Sequence, residues 1–296
     1  MIYLIGSIVL SSFLTLAFKM LGKLNIPIFQ SIVYNYLICV VTGSIVNQSF
    51  PINQEALSQT WFHWACVMGV LFIILFNMIG ITAQKISVAV ASVANKLSLI
   101  IPVILSVYLY NESVKGFKLL GVIIALVAVV FTCLQDKKQE ATMDKSMVKW
   151  EYALPFLLFI GSGLLDSLIN HVQQKHVNES NSNAFLISGF AAAGTIGLLV
   201  LLFQFIQGKQ QFSYKPIVAG IIIGIPNYFS IWCLVRYLKF SPWQSSASIP
   251  INNMGIVLFS TIVAWIAFKE KLSKINWIGI GLSIIAIYLI AFGDSL

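Results

Sequence analysis

The sequence predicts an all-α integral membrane protein with ten transmembrane helices arranged as two inverted five-helix repeats. Three observations predict it: the composition, the recurrence of apolar runs of about 20 residues, and a second copy of the first half's landmarks in the second half.

Of the 296 residues, 58% are hydrophobic and 9% charged, and the mean hydropathy is +0.90. A soluble domain carries roughly 25% charged residues, so this chain lacks the polar surface a water-soluble fold needs. A helix rises 1.5 Å per residue, and about 20 apolar residues therefore cross a hydrocarbon core of ~30 Å. Ten such runs occur, at about 2–20, 28–46, 61–82, 86–109, 117–134, 152–173, 184–206, 215–238, 243–268 and 275–293. The loops between them are short, so the function belongs within or across the bilayer. The first run lacks a basic leading region and has a counterpart later, so it reads as a retained helix rather than a signal peptide.

The net charge of +8 comes from Lys and Arg residues scattered singly, with no basic stripe interleaved with aromatics. They read as topology signals, and nucleic acid is not an expected partner. Loops after odd-numbered helices hold twelve basic residues and loops after even-numbered helices five, a bias that by itself places both termini outside. Cys39, Cys66, Cys133 and Cys233 lie in apolar segments without metal-type spacing, so no metal and no cofactor is expected.

Without gaps, Ile5, Gly6, Ser7, Leu10 and Ser12 align with Ile160, Gly161, Ser162, Leu165 and Ser167, which relates the first helix to the sixth. A second alignment sets Ser87, Ala89, Asn95, Ile104, Glu112, Gly121 and Ala128 on Ser245, Ala247, Asn253, Ile262, Glu270, Gly279 and Ala286, relating helices 4 and 5 to 9 and 10. The first repeat thus spans residues 1–135, a polar linker 136–150, and the second repeat 151–296. Five helices is an odd number, so consecutive copies must point in opposite directions across the membrane. Such inverted repeats build many secondary transporters, because two opposed copies can open a shared site first to one side and then to the other.

The hairpin YLYNESVKGFKLLGVIIALVAVV, its echo WIAFKEKLSKINWIGIGLSIIAIY, and the Gly-Ser near the start of each half resemble the drug/metabolite transporter superfamily, specifically its EamA-like ten-helix members. The resemblance runs along essentially the whole chain. It implies a small-solute carrier with cytoplasmic termini, a cavity lined mainly by helices 1, 3, 4, 6, 8 and 9, and helices 5 and 10 at the periphery.

Polar groups inside the spans are the candidate site. Lys96 is the eleventh residue of its run, ~15 Å from either membrane face, where a charge costs at least ~2.5–3.5 kcal/mol. It must therefore face a polar cavity or a partner rather than lipid. Ser92 and Asn95 join it, and Pro102 is expected to bend the helix. The equivalent ninth helix carries Asn252 and Asn253, and helix 8 carries Asn227 and Tyr228 beside Gly220 and Gly224. Tyr34 and Asn35, in VYNY, resemble a motif of nucleotide-sugar transporters, as Ala94–Lys96 resembles their Asn-Lys motif, although there both motifs sit in the second half. Ser162, Asp166 and Asn170 share one face of helix 6. An ionisable group within a span is a functional-site hypothesis, so Asp166 and Asn170 are candidates for coupling or gating. Glu112 and Glu270, at equivalent helix ends, are read either as caps or as gating residues. Lys96 and Asp166 are read either as an ion pair or as separate groups, with Lys96 holding an anionic group of the solute.

There is no HExxH, no phosphate-binding glycine loop and no Cys/His cluster, so catalysis is not expected. The expected function is alternating-access secondary transport of a small polar metabolite, anionic or zwitterionic such as an amino acid. The expected setting is the bacterial cytoplasmic (inner) membrane, with the lipid bilayer and the solute as partners; a homodimer is compatible with the sequence. An intramembrane enzyme, a lipid-binding membrane protein and, among carriers, a nucleotide-sugar-like exchanger are the alternatives.

Overall fold

The computed structural model describes residues 1–102, 104–105, 116–133, 153–178, 181–240 and 245–293. Glu112 and the linker lie outside the described residues. The described residues form eleven helices and no strands: α1 (Ile2–Lys23), α2 (Ile28–Val46), α3 (Gln54–Ser58), α4 (Thr60–Lys85), α5 (Val88–Leu97), α6 (Phe117–Cys133), α7 (Leu154–Lys175), α8 (Ser182–Ile206), α9 (Tyr214–Phe240), α10 (Ser245–Phe268) and α11 (Lys274–Phe292).

Ten of them fall on the ten apolar runs. Seven of these are long and apolar enough to cross a membrane, and three are shorter apolar helices, Val88–Pro102, Leu119–Thr132 and Lys274–Ile290. The eleventh, α3, was not expected from the apolar pattern. It is one turn of helix whose start is fixed by Asn53, with Oδ1 accepting from the Ala56 N–H at 2.8 Å.

The chain packs into two compact units, each drawn from both halves of the sequence. The first comprises Met1–Lys19, Ile79–Leu164 and Phe229–Leu296, and the second Met20–Met78 and Leu165–Tyr228. In the first unit, α6 and α11 pack antiparallel through glycines. A Cβ on Gly121 would stand 2.9 Å from Leu289 Cβ and 3.0 Å from the Ile290 nitrogen, and one on Gly279 would stand 2.5 Å from the Thr132 nitrogen. Asn276 ties the same pair at its end. Its Oδ1 accepts from the Ser273 N–H at 3.0 Å within the capping box of α11, while Nδ2 donates to the Thr132 carbonyl at 2.9 Å and that of Phe131 at 3.2 Å. One side chain thus satisfies a helix start and two orphaned carbonyls of a helix end.

In the second unit, α2 and α8 are likewise antiparallel. Gly43 meets Ile187, Gly194 meets Leu37, and Gly197 meets Val33. α4 packs on α8 at Gly69 and Gly189, and α9 packs on α2 at Gly220 and Gly224. Lipid tails are as apolar as leucine, so helices in a bilayer associate through close packing, and small residues at the seams allow it. Tyr36, fully buried, adds a polar tie by donating its hydroxyl to the Phe72 carbonyl at 2.8 Å.

These seams carry a prediction. A Cβ on Gly69 would stand 2.5 Å from Ala192 Cβ and 2.8 Å from the Ala193 nitrogen, with the Gly189 carbonyl oxygen at 2.9 Å, whereas one on Gly281 would meet nothing within 4 Å. Gly69→Ala should destabilise the protein by ~1–3 kcal/mol. Gly281→Ala should be neutral or stabilising by up to ~1 kcal/mol. Thermal unfolding in detergent separates the two, and equal melting temperatures would contradict the seam.

Candidate functional site

α5 ends early. Its last helical residue is Leu97, and Ser98 and Leu99 form a turn before helical backbone resumes at Ile100. The cause lies downstream at Pro102, which has no N–H to offer the Ser98 carbonyl. That carbonyl accepts instead from the Ile101 N–H at 2.9 Å, and the Ser98 hydroxyl donates to the Asn95 carbonyl at 2.6 Å. The sequence-based expectation of a bend thus becomes a break four residues before the proline.

Lys96 lies in the last turn of the shortened helix and is half-buried, as is Asn95. The end of a helix carries partial negative charge from its unsatisfied carbonyls, which favours a cation there by typically 0.3–1 kcal/mol. The break therefore creates local support for an ammonium in the middle of an apolar run. Ser92, one turn earlier, is buried and accepts from Ser260 Oγ of α10 at 2.9 Å, which makes it a helix-packing contact.

On α10, Asn252 and Asn253 are buried, and Asn252 Oδ1 has no hydrogen-bond partner among the described residues. A buried polar atom without a partner costs ~1–3 kcal/mol, so its presence requires a reason beyond packing.

The second unit brings together four other expected residues. Asn227 Nδ2 donates to Asn35 Oδ1 at 3.1 Å, and Cys39 Sγ donates to the Gly224 carbonyl at 3.3 Å beside them. Tyr34 packs on Gly220, and Tyr228 packs on Gly43 with its ring edge 2.9 Å from where a Cβ would be. Asn35 and Asn227 are 0% and 2% exposed. They form the polar tie of the α2–α9 seam, with Tyr228 buried alongside.

Asp166 and Asn170 are exposed on α7. Asp166 lies two turns beyond Phe159 and one beyond Ser162, both buried, and so shares their face. The exposed apolar residues Phe156, Leu157, Ile160 and Leu164 occupy the other side of the helix. The carboxylate is therefore turned away from the apolar stripe that suits lipid.

Glu270 is 7% exposed at its side chain. Its Oε1 and Oε2 accept from the Val88 N–H at 3.0 and 3.2 Å, and Lys19 Nζ stands 3.3 Å from Oε1. The carboxylate caps the start of α5, while Ser87 fills the N-cap position by accepting from the Val90 N–H at 3.2 Å. The pattern signal for this cap was Ser87 just before an apolar run. Its partnership with Lys19 and Glu270, from distant parts of the chain, had no sequence signal. Among the described residues no group of His, Cys, Asp and Glu is placed to hold a metal ion.

Apolar helices with small-residue seams and a few polar groups buried within the spans define a multi-pass integral membrane protein. Residues 153–292 match the EamA-like transporter family. The match lies in the second half of the chain and agrees with the resemblance read from the sequence. An uncharacterized protein of Haemophilus influenzae is 23% identical over 302 residues, an alignment covering 99% of this chain and 98% of that one. A solved crystal structure superposes with a TM-score of 0.60 at 15% identity, covering 97% of this chain and 94% of its own, so the fold is shared over nearly the whole length.

Proposed function

We propose that the protein is a secondary carrier that works by alternating access and moves a small polar metabolite bearing a carboxylate or phosphate across a bacterial cytoplasmic membrane. Both purely anionic and zwitterionic solutes fit, amino acids among them. The observation that carries this reading is the break of α5 at Ser98, which leaves Lys96 at a helix end in the middle of an apolar run. Discontinuous helices near the bilayer midplane are where carriers place their solute and ion sites. The unpartnered Oδ1 of Asn252 on the repeat-equivalent helix supports it, as an acceptor that a solute hydrogen could satisfy.

The inverted repeat is part of the proposal. The pairs α2 with α8 and α6 with α11 correspond to helices 2 and 7 and helices 5 and 10 of the two repeats, and the members of each pair run antiparallel. Opposed copies require this. Ten crossings would put Glu112 and Glu270 on opposite faces of the membrane. Cysteines at the two positions should then be labelled by an impermeant reagent from opposite sides, and labelling of both from one side would contradict the arrangement.

The experiment for the solute is a thermal-shift screen over metabolites with carboxylate or phosphate groups. A ligand at 100 times its Kd adds ~2.7 kcal/mol to the folded state. A metabolite that raises the melting temperature of the parent but not of Lys96→Met supports the proposal. One that stabilises both equally removes Lys96 from the site.

A further inference from the structure

Three helix ends of the first unit meet Lys19 of α1 at Glu270: the last turns of α4 and α10 and the first turn of α5. Lys269 makes this possible by adopting a left-handed backbone with φ 53°, which turns the chain sharply after α10 and brings Glu270 back over the helix ends. A left-handed conformation is unfavourable for a non-glycine residue and persists only where the surroundings enforce it. The Glu270 carboxylate then takes the Val88 N–H with both oxygens and Lys19 Nζ with one. Lys19 also donates to the Gln84 carbonyl at 3.2 Å, and Gln84 Nε2 donates to the Phe18 carbonyl at 2.9 Å. One charged centre thus joins the three ends to α1 through Lys19.

Next to it, a dry layer follows. Ala83, Val88, Ala91 and Ala264 are 0% exposed, with Leu16 and Phe268 packed against them. Small side chains let the helices close on one another, leaving no room for water among them. In this conformation the end of the unit is shut by an apolar layer and fastened by a carboxylate.

A carrier must open and reseal each end in turn, and a fastening suited to that task is polar, local and reversible. The Glu270 contacts have those properties. They consist of charge-assisted hydrogen bonds to a backbone donor that helix geometry leaves without an internal partner. We propose that Glu270 is the latch of this face: its carboxylate holds α10 to the start of α5, and its release separates α10 from α1, α4 and α5 when this end opens. The proposal rests on the carrier reading, but its test needs no solute.

The test places a cysteine at Ala264, in the dry layer, and follows its reaction with a water-soluble maleimide on the purified protein, site-resolved by mass spectrometry. With Glu270 intact, labelling should be slow. Glu270→Ala removes the charge-assisted bonds and should speed labelling at A264C by about tenfold or more. Glu270→Gln keeps an acceptor oxygen and should fall in between, and Lys19→Met should have the smaller effect because the helix cap survives. Exchanging the charges, Lys19→Glu with Glu270→Lys, should leave the end open, since an ammonium would then face the positive start of α5.

Unchanged labelling in a folded, monodisperse Glu270→Ala protein would overturn the proposal. So would full protection in the charge exchange, which would make the ion pair alone the fastening. If Glu270→Ala does not fold, Glu270→Gln and Lys19→Met carry the same comparison. Faster labelling in a protein that moves no solute would leave the latch standing and remove the carrier reading. Solute movement with unchanged labelling would do the reverse.

Discussion

Lys96→Met is expected to abolish binding of the carried solute while leaving the protein as stable as its parent or slightly more so. Methionine keeps an unbranched apolar stem and removes the charge, whose burial costs at least ~2.5–3.5 kcal/mol in mid-membrane. The helix-end carbonyls beside it lose a favourable but small interaction, typically 0.3–1 kcal/mol. On the solute reading the balance favours methionine for folding, so lost binding would not follow from lost structure. An ion pair between Lys96 and Asp166 predicts the opposite. Removing one partner of a buried pair costs ~3–5 kcal/mol, because the other charge is stranded. The double variant with Asp166→Asn separates the cases. Recovery of stability and transport in the double variant would establish the pair, whereas a stable single variant that no longer binds supports the solute role.

Asp166→Asn is expected to flatten the pH dependence of transport and to abolish accumulation against a gradient, while exchange of solute down its gradient continues. Asp166 is the thirteenth of the 22 residues of α7, close to the middle of the span. It is exposed on the face that also carries Phe159 and Ser162, away from exposed Ile160 and Leu164. A carboxylate at that depth does not face lipid, so it meets water or a polar path, where it can take up and release a proton. Asparagine is nearly isosteric and cannot carry the proton. Parallel pH profiles of uptake for parent and variant in proteoliposomes check this, and identical profiles in a well-folded variant would remove Asp166 from coupling.

Much of this architecture is legible in the sequence because the bilayer fixes the length of what crosses it. Each of the ten apolar runs holds a helix among the described residues, and the boundaries of α2 and α8 fall within a few residues of the runs at 28–46 and 184–206. α3 escaped because five residues with a charged Glu55 leave no apolar run, and only the Asn53 cap marks them. Pro102 announced a disturbance in α5 but not its form. A missing N–H frees the carbonyl four residues earlier, and the helix ends there because the Ser98 carbonyl finds a donor in Ile101 instead.

Polar residues were harder to place than helices. An asparagine in a span suits a cavity and a helix seam equally well, and the choice depends on what the neighbouring helix presents. Asn35 and Asn227, expected to line the cavity, bond to each other in a seam, with Asn35 Nδ2 left over, while Asn252 keeps an unpartnered oxygen on α10. Glu270 was read as a cap or a gate, and the structure supplies the cap, on a helix of the other repeat. The pairing of Lys19 with Glu270 left no sign in the sequence, because pairing between distant helices depends on packing geometry rather than on local spacing.

Flux through the purified protein tests the central claim most directly. Liposomes holding the protein are loaded with a defined mixture of carboxylate- and phosphate-bearing metabolites, and the solutes inside and outside are followed by mass spectrometry. The account predicts that one class crosses chemically unchanged, at a rate that Lys96→Met reduces to that of protein-free liposomes. Chemical conversion of the solute, or crossing that Lys96→Met leaves intact, would contradict it.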